Sequence, residues 1–235
     1  MATTLAQILA DSAARHGGRT ALVVDDRSLS FRQLDEQSDR VAHGLVGLGV
    51  RPGDRVPLFG VNSCEWVLAY YGITKTGAVL NPLSSMLTTD QLGYTVTDAG
   101  ARIVIGAADK AGELLELKAA GAIDHVVLWG AAAAEGATAL SDWLARDVGR
   151  FETRPRDPAD LAVIACTSGT TGRPKGAMQS QRAAYKLPRA VQFVSAVPMT
   201  ASGTIMRRML KTLDDGGRTG DQAARGVSQG RGITP

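Results

Sequence analysis

The sequence has only two cysteines, Cys64 and Cys166, among its 235 residues. Neither belongs to a CxxC pair or a Cys/His cluster, so the sequence offers no disulfide framework and no structural zinc motif. Both stand in apolar surroundings, which predicts reduced thiols in the core. The three histidines, His16, His43 and His125, are scattered without metal-ligand spacing, and we expect no metal site from them.

Long hydrophobic runs are missing as well. No apolar stretch reaches the roughly 18–20 residues that span a bilayer. The N-terminus lacks a basic segment followed by a hydrophobic stretch and a small-residue cleavage site. These observations predict a cytoplasmic protein without a transmembrane segment.

The chain nevertheless has the composition of a folded protein. Hydrophobic residues make up 44% and charged residues 21%, with a mean hydropathy of -0.02. These values exclude collagen-like, mucin-like and fully disordered chains. The charge is uneven, because acidic residues outnumber basic ones over residues 1–181 and the reverse holds over residues 182–235. The imbalance indicates that two pieces of different character are joined.

Hydrophobic spacing and capping residues predict alternating strands and helices. Thr4 is the expected cap of a first helix, and Ser30 with Gln33 has capping-box spacing for another. The expected strands are Thr20 to Val24, Ser28 to Phe31, Arg55 to Phe59, Ala78 to Leu83, Ala101 to Gly106, His125 to Trp129 and Leu161 to Cys166. The other expected helices cover Ser63 to Thr76, a segment after Thr89, Ala111 to Ala120 and a short turn around Trp143. This alternation is typical of crossover units on a parallel sheet, and therefore of an α/β fold.

The last of these strands runs into a glycine-rich loop, TSGTTGRPKGAM, over residues 167–178, and Lys175 to Gln179 predicts a returning strand. The loop's glycines allow backbone N–H groups to approach an anion closely, its hydroxyls donate further hydrogen bonds, and the Lys175 ammonium neutralises charge. The pattern differs from a Walker A motif, because no Ser or Thr follows the lysine. It predicts a polyphosphate-binding loop, and the alternative is a plain glycine-rich hairpin.

This loop resembles the phosphate-binding signature of the adenylate-forming (AMP-binding) superfamily, which includes acyl-CoA synthetases, luciferases and peptide-synthetase adenylation domains. Residues 20–88 also resemble the N-terminal region of fatty-acid and related carboxylate–CoA ligases, and the likeness covers about the first 180 residues. The resemblance implies an N-terminal α/β subdomain over residues 1–160. A strand, phosphate loop and strand would follow over residues 161–181.

The resemblance also implies a reaction and its cofactors. Such enzymes join a carboxylate to ATP with Mg²⁺, release pyrophosphate, and let the CoA thiol displace AMP from the acyl-adenylate. Carried over by position, the residues that would hold the β- and γ-phosphates are Thr167, Ser168, Gly169, Thr170, Thr171, Gly172 and Lys175. Thr167 would also contact the Mg²⁺ ion.

The chain departs from the family pattern after this loop. Residues 183–210 resemble the C-terminal lid, whose pattern is P-x-T-x-S-G-K-I-x-R-R, but they follow the loop far too soon. The stretch that would carry the adenosine contacts and most of the acyl pocket is missing between about Gln179 and Ala183. In addition, Thr204 occupies the position of the lid lysine, so no catalytic residue is intact.

These departures predict an incomplete N-terminal α/β domain joined to a fragment of the small α+β C-terminal domain, over residues 182–213. Residues 214–235 are expected to be a disordered tail. The RTGD sequence at 218–221 lies after the lid pattern, so we do not expect it to bind ribose. Arg207, Arg208 and Lys211 favour a solvated helix end over contact with nucleic acid.

Three functions remain open. The first is an ATP-dependent fatty-acid–CoA ligase. The second is a truncated remnant that retains polyphosphate affinity but has little or no activity alone, because unoriented reactants forfeit up to about 7–11 kcal/mol of proximity advantage. The third is an interaction module that self-associates, or pairs with a complementary chain or a full-length relative, through an exposed sheet edge. The acyl substrate does not follow from the sequence in any of the three.

Overall fold

The computed structural model describes residues 4–130, 134–167 and 175–184. The chain divides into two units, residues 1–186 and 187–235, and all described residues belong to the first. Within the described ranges, every helix is too short or too polar to span a bilayer.

The N-terminal helices begin at residues whose side chains cap them. The first four elements are α1 (Leu5–His16), β1 (Thr20–Val24), β2 (Arg27–Ser30) and α2 (Phe31–Gly47). Thr4 and Ser30 each accept a hydrogen bond from the backbone N–H of a glutamine three residues later, whose side chain accepts from the cap's own N–H. These two capping boxes fix where the helices start. The predicted helices and the antiparallel β1–β2 hairpin are confirmed, except that Phe31 opens α2 instead of ending β2.

A seven-stranded sheet follows. Its strands are β3 (Arg55–Phe59), β4 (Val79–Leu83), β5 (Ile103–Ala107), β6 (His125–Trp129), β7 (Thr138–Ala139), β8 (Leu161–Thr167) and β9 (Lys175–Ser180). Their spatial order is β7-β6-β5-β3-β4-β8-β9, in which β9 runs antiparallel to β8 and the other pairings are parallel. The α/β fold with a mainly parallel sheet is confirmed.

Helices connect the parallel strands. They are α3 (Cys64–Lys75), α4 (Thr89–Asp98), α5 (Ala111–Ala119) and α6 (Leu140–Leu144), and α7 (Gln181–Ala184) follows β9. Ser63 caps α3, and Thr88 forms a capping box with Gln91 at the start of α4. The first turn of α7 is joined to the chain ahead of β8, because Gln181 N–H donates to the carbonyl oxygen of Asp160 at 2.9 Å.

Two hydrophobic cores lie on opposite faces of the sheet. Side chains alternate along β5, so that Ile103 and Ile105 join one core whereas Val104 joins the other. The first core also holds apolar residues of α1, α2, α3 and α6, and the second those of α4 and α5. A strand buried on both faces needs an unbroken apolar sequence, and β6 has one over its last four residues, 126–129.

Two expectations need correction. The two-residue strand β7 was not predicted, because Thr138 and Ala139 follow a low-complexity alanine tract without any period. Cys64 is 2% exposed, as expected of a core thiol, but Cys166 is only half-buried because it lines a cavity beside α4. Both cysteines are free thiols.

Candidate functional site

The glycine-rich segment predicted to bind phosphate connects β8 to β9. Thr167 ends β8, Lys175 begins β9, and the two residues are direct partners across the antiparallel pair. The Cα atoms of such partners lie about 4.5–5.5 Å apart. The two ends of the segment are therefore held side by side, as the predicted hairpin requires. Residues 168–174, with the predicted phosphate ligands Ser168, Gly169, Thr170, Thr171 and Gly172, lie outside the described residues.

The loop leaves the carboxyl edge of the parallel sheet. β8 is parallel to β4, with Leu80 opposite Val163, and β4 is parallel to β3, with Leu83 opposite Phe59. The carboxyl ends of these three strands therefore meet at one edge. In open α/β sheets, ligands bind beyond this edge, where successive loops converge. Thr167 and Lys175, the two described ends of the loop, thus lie at the edge that the fold favours for a ligand site.

Neighbouring loops bring polar and apolar groups to the same edge. The segment after β4 contains Ser84, whose hydroxyl accepts from Met86 N–H at 3.3 Å, and it leads directly into the capped start of α4. The start of a helix carries a partial positive charge, which favours anions. Val61, after β3, and Met86 are 61% and 81% exposed. This edge therefore combines a helix N-terminus with two exposed apolar side chains.

Packing explains why a glycine stands at position 176, next to Lys175. A Cβ atom at this position would lie 2.6 Å from the Cγ2 atom of Ile164 on β8. Real side chains essentially never approach a neighbour so closely, so a larger residue would push the two strands apart. The glycine after the lysine therefore serves the close β8–β9 contact.

The structure describes only some of the other residues that the sequence singled out. The structure describes no side chain of the lid-like segment 183–210, which includes Thr204. The sequence at 218–221 also lies outside the described residues. Within the described ranges, no group of three His, Cys, Asp or Glu residues is placed to hold a metal ion. His43 instead packs edge-on against Phe151, and its Nε2 atom lies 3.1 Å from the Gly149 carbonyl oxygen.

A buried ion cluster between α2 and α3 was not predicted from the sequence. Lys75 is 1% exposed, and its Nζ atom contacts one carboxylate oxygen each of Asp35 and Asp39. The guanidinium of Arg150 contacts the other oxygens of the same two carboxylates. The signal was present, since Asp35 and Asp39 stand four residues apart on the apolar face of a helix.

A polar pair inside the sheet was not predicted either. Asn81 lies in the middle of β4 and is fully buried, and its Oδ1 atom accepts a hydrogen bond from the Cys166 thiol at 3.4 Å. Burial, assisted by the negative charge of Asp98, raises the pKa of Cys166. The thiol therefore stays protonated at neutral pH and acts as a donor. A polar residue within the apolar strand VLNPL was the sign of this pair.

Comparison with known proteins decides the family. The sequence pattern described as AMP-binding enzyme matches residues 9–213, which is most of the chain. The chain belongs to this family. The resemblance of the glycine-rich loop and of the N-terminal region is thereby confirmed.

Individual relatives in the AMP-binding enzyme family include both ligases and synthetases. The chain is 34% identical over 197 residues to phosphinothricin tripeptide synthetase PhsC of Streptomyces viridochromogenes, which covers 83% of this chain and 17% of that protein. It is 30% identical over 169 residues to the long-chain-fatty-acid–CoA ligase FadD13 of Mycobacterium tuberculosis, covering 68% of this chain and 31% of the ligase.

Solved structures of the family share the fold. ATP-bound MatB from Rhodopseudomonas palustris superposes with a TM-score of 0.68 at 32% identity, covering 77% of this chain and 35% of MatB. The chain thus spans about a third or less of the length of these relatives.

Proposed function

We propose that the chain binds the polyphosphate of Mg·ATP through residues 167–175 and that it does not form an acyl-adenylate on its own. The observation that supports this proposal is the direct pairing of Thr167 and Lys175 at the carboxyl edge of the sheet, in a chain of the AMP-binding enzyme family. A threonine and a lysine at the two ends of a glycine-rich segment suit an anionic chain of phosphates.

The roles of the loop residues follow the family resemblance. The β- and γ-phosphates would accept hydrogen bonds from Thr167, Ser168, Thr170 and Thr171 and from the backbone around Gly169 and Gly172. The Lys175 ammonium would balance their charge, and the Thr167 hydroxyl would contact the Mg²⁺ that the phosphates carry. In a complete ligase, ATP would activate a carboxylate and CoA would accept the acyl group.

Two features argue against adenylation by this chain alone. Thr204 stands where the lid lysine is expected, and loss of one positioned donor commonly costs about 10²–10³ in rate. The sequence between the phosphate loop and the lid-like segment also has no room for adenosine contacts. Without these contacts the reactants are poorly positioned, which costs up to about 7–11 kcal/mol. We therefore propose a truncated member of the family, whose ancestral substrate was a fatty acid or a related carboxylate.

A second candidate function is association through β9. Five of its six residues, Lys175 to Gln179, are exposed, and Met178 is 75% exposed. In the described sheet β9 is a terminal strand, and exposed strand edges favour pairing with another chain. The partner would be a second copy or a chain that supplies the rest of a ligase.

Calorimetric titration with tripolyphosphate and Mg·ATP tests phosphate binding. Lys175→Ala should weaken tripolyphosphate binding about 10-fold or more, since hydrogen bonds to charged groups contribute about 1.5–3 kcal/mol. Arg182→Ala is the matched control, because it removes an exposed cation from α7, beyond the other end of β9, and should leave the affinity unchanged. Equal affinity of the wild-type chain and Lys175→Ala would refute the proposal.

Carboxylate-dependent exchange of pyrophosphate into ATP tests the second half of the proposal. We expect background rates with acetate, benzoate and octanoate. Exchange above background with any of them in the wild-type chain would show an active ligase and overturn the truncated assignment. Sedimentation over a range of concentrations tests the β9 candidate separately.

A further inference from the structure

A cavity of about 390 Å³ lies beside α4, next to the ends of β8 and β9. The residues that matter for its chemistry are Arg55, Asn81, Asp98, Ile164, Cys166 and Met178, all of which line it. Its volume lies within the range of small-molecule pockets. Cys166 and Gly176, the chain neighbours of Thr167 and Lys175, belong to the lining, so the cavity adjoins the two ends of the proposed phosphate loop.

Asn81, one of the lining residues, carries a buried donor group. Asn81 is 0% exposed, and its Nδ2 atom has no hydrogen-bond partner in the part of the chain that the structure describes. Its other amide atom, Oδ1, accepts from the protonated Cys166 thiol, which fixes the orientation of the amide. A buried N–H group without an acceptor costs about 1–3 kcal/mol. An acceptor atom that enters the cavity would therefore recover a substantial free energy.

The charge of the lining favours a neutral ligand. Arg55 donates from its guanidinium to the carbonyl oxygens of Ala99 at 2.6 Å, Gly100 at 3.3 Å and Gly53 at 3.4 Å. The Arg55 guanidinium is therefore engaged by backbone carbonyl oxygens. The Asp98 carboxylate, which also lines the cavity, carries a negative charge. A carboxylate ligand would meet Asp98, whereas a neutral acceptor meets no like charge.

Apolar groups complete the cavity. Ile164 and Met178 present aliphatic side chains from the paired strands β8 and β9. We propose that this cavity binds a small neutral carbonyl compound, such as an amide or ketone with an apolar body, whose oxygen accepts a hydrogen bond from Asn81 Nδ2. The apolar body lies against Ile164 and Met178.

Ligand-observed NMR titration of the full chain with three probes of similar size tests this site. Benzamide offers a neutral carbonyl and an apolar ring, benzoate adds a charge, and toluene lacks the carbonyl. We expect benzamide to bind about 3- to 10-fold more tightly than toluene, as one hydrogen bond allows, and benzoate to bind more weakly than benzamide. Absence of benzamide binding, or equal binding of benzamide and toluene, would overturn the proposal.

Two variants and a labelling measurement locate the binding. Asn81→Leu keeps the shape of the side chain and removes the donor, so the preference for benzamide over toluene should disappear. Asn62→Leu, the same change at an exposed asparagine, should keep it. Benzamide should also slow alkylation of Cys166 by N-ethylmaleimide, measured by mass spectrometry, with the buried Cys64 as an internal control for unfolding. Unchanged Cys166 labelling at saturating benzamide would place the ligand elsewhere and contradict the assignment.

Discussion

The Nζ atom of Lys75 lies 2.7 Å from both the carboxylate Oδ1 atom and the backbone carbonyl oxygen of Asp35. Lys75 is 1% exposed and Asp35 0%, so this is an ion pair removed from water. It joins the C-terminal turn of α3 to the second turn of α2. A lysine is rarely buried unless it is paired, and here the pairing fixes how the two helices meet.

We expect Lys75→Met to lower the free energy of unfolding by about 3–5 kcal/mol, because it leaves two buried carboxylates without their lysine. Urea denaturation followed by circular dichroism measures the change. Arg15→Ala, which breaks the exposed pair with Asp11, should cost less than about 1 kcal/mol. The triple variant with Asp35→Leu and Asp39→Leu should recover most of the loss, and equal losses for Lys75→Met and Arg15→Ala would contradict the role of the cluster.

Two glycines of α2 should respond in opposite ways to alanine. A Cβ atom at Gly44 would lie 2.1 Å from the Cδ2 atom of Trp143, whereas one at Gly47 would meet nothing within 4 Å. Gly44→Ala should therefore destabilise the fold by about 1–3 kcal/mol through overpacking. Gly47→Ala should be neutral or stabilise by up to about 1 kcal/mol through helix propensity. Thermal denaturation distinguishes the two, and a stabilising Gly44→Ala would contradict the close packing of Gly44 against Trp143.

The ion pair between Arg27 and Glu65 should make stability depend on pH. Burial raises the pKa of the Glu65 carboxyl, but hydrogen bonds from Arg27, its own backbone N–H and Ser63 together bring that pKa below its ordinary value of 4.5. A carboxyl with a lowered pKa stabilises the fold above its unfolded pKa, and this contribution disappears as the pH falls through the folded value.

Glu65→Gln should therefore lower the melting temperature at pH 7, and the difference from wild type should shrink as the pH falls below 4.5. The loss at pH 7 should correspond to about 1 kcal/mol or less, since the Arg27 side chain is 56% exposed. Glu36→Gln, at an exposed position of α2, serves as the control and should show no comparable pH dependence. A constant difference between Glu65→Gln and wild type across this range would mean that the pair does not titrate as described.

Under the proposed function, Thr204→Lys would supply the lid-like segment with the lysine of the family pattern but should not restore adenylation. One positioned donor contributes about 3–4 kcal/mol, which is less than the positioning advantage that adenosine contacts would provide. Exchange of pyrophosphate should therefore stay at background in this variant. A 10-fold or larger rise over wild type would instead show that the nucleoside still binds productively.

Much of the sheet is readable in the sequence because its strands are continuous apolar runs between turn residues. The predicted bounds of β3 and β6 agree with the structure residue for residue, and β4 and β5 start one or two residues later than expected. Small residues caused the difference, since Ala78 and Ala101 fit a strand or a turn equally well. The order of the strands was not predicted, because it depends on contacts between distant segments.

The candidate site was predicted less completely than the sheet. The residue types of the phosphate loop and the hairpin that carries it follow from the sequence, and Thr167 and Lys175 are paired as the hairpin requires. The Asn81 cavity and the Lys75 cluster were not predicted. Polar residues are usually exposed, so burial of Asn81 or Lys75 was not expected. Their burial follows only from the packing of α4 beside Asn81 and of α2 against α3 around Lys75.

The two terminal strands of the described sheet differ greatly in length. β7 has two residues and β9 has six, so intermolecular pairing has room at one end only. If two copies join through β9, the two β9 strands pair with each other. The edge strand on each side of the combined sheet is then the two-residue β7. Growth into a filament would then stop after the first addition, because every further copy would need a β9 strand to pair with, and both β9 strands would already be joined to each other.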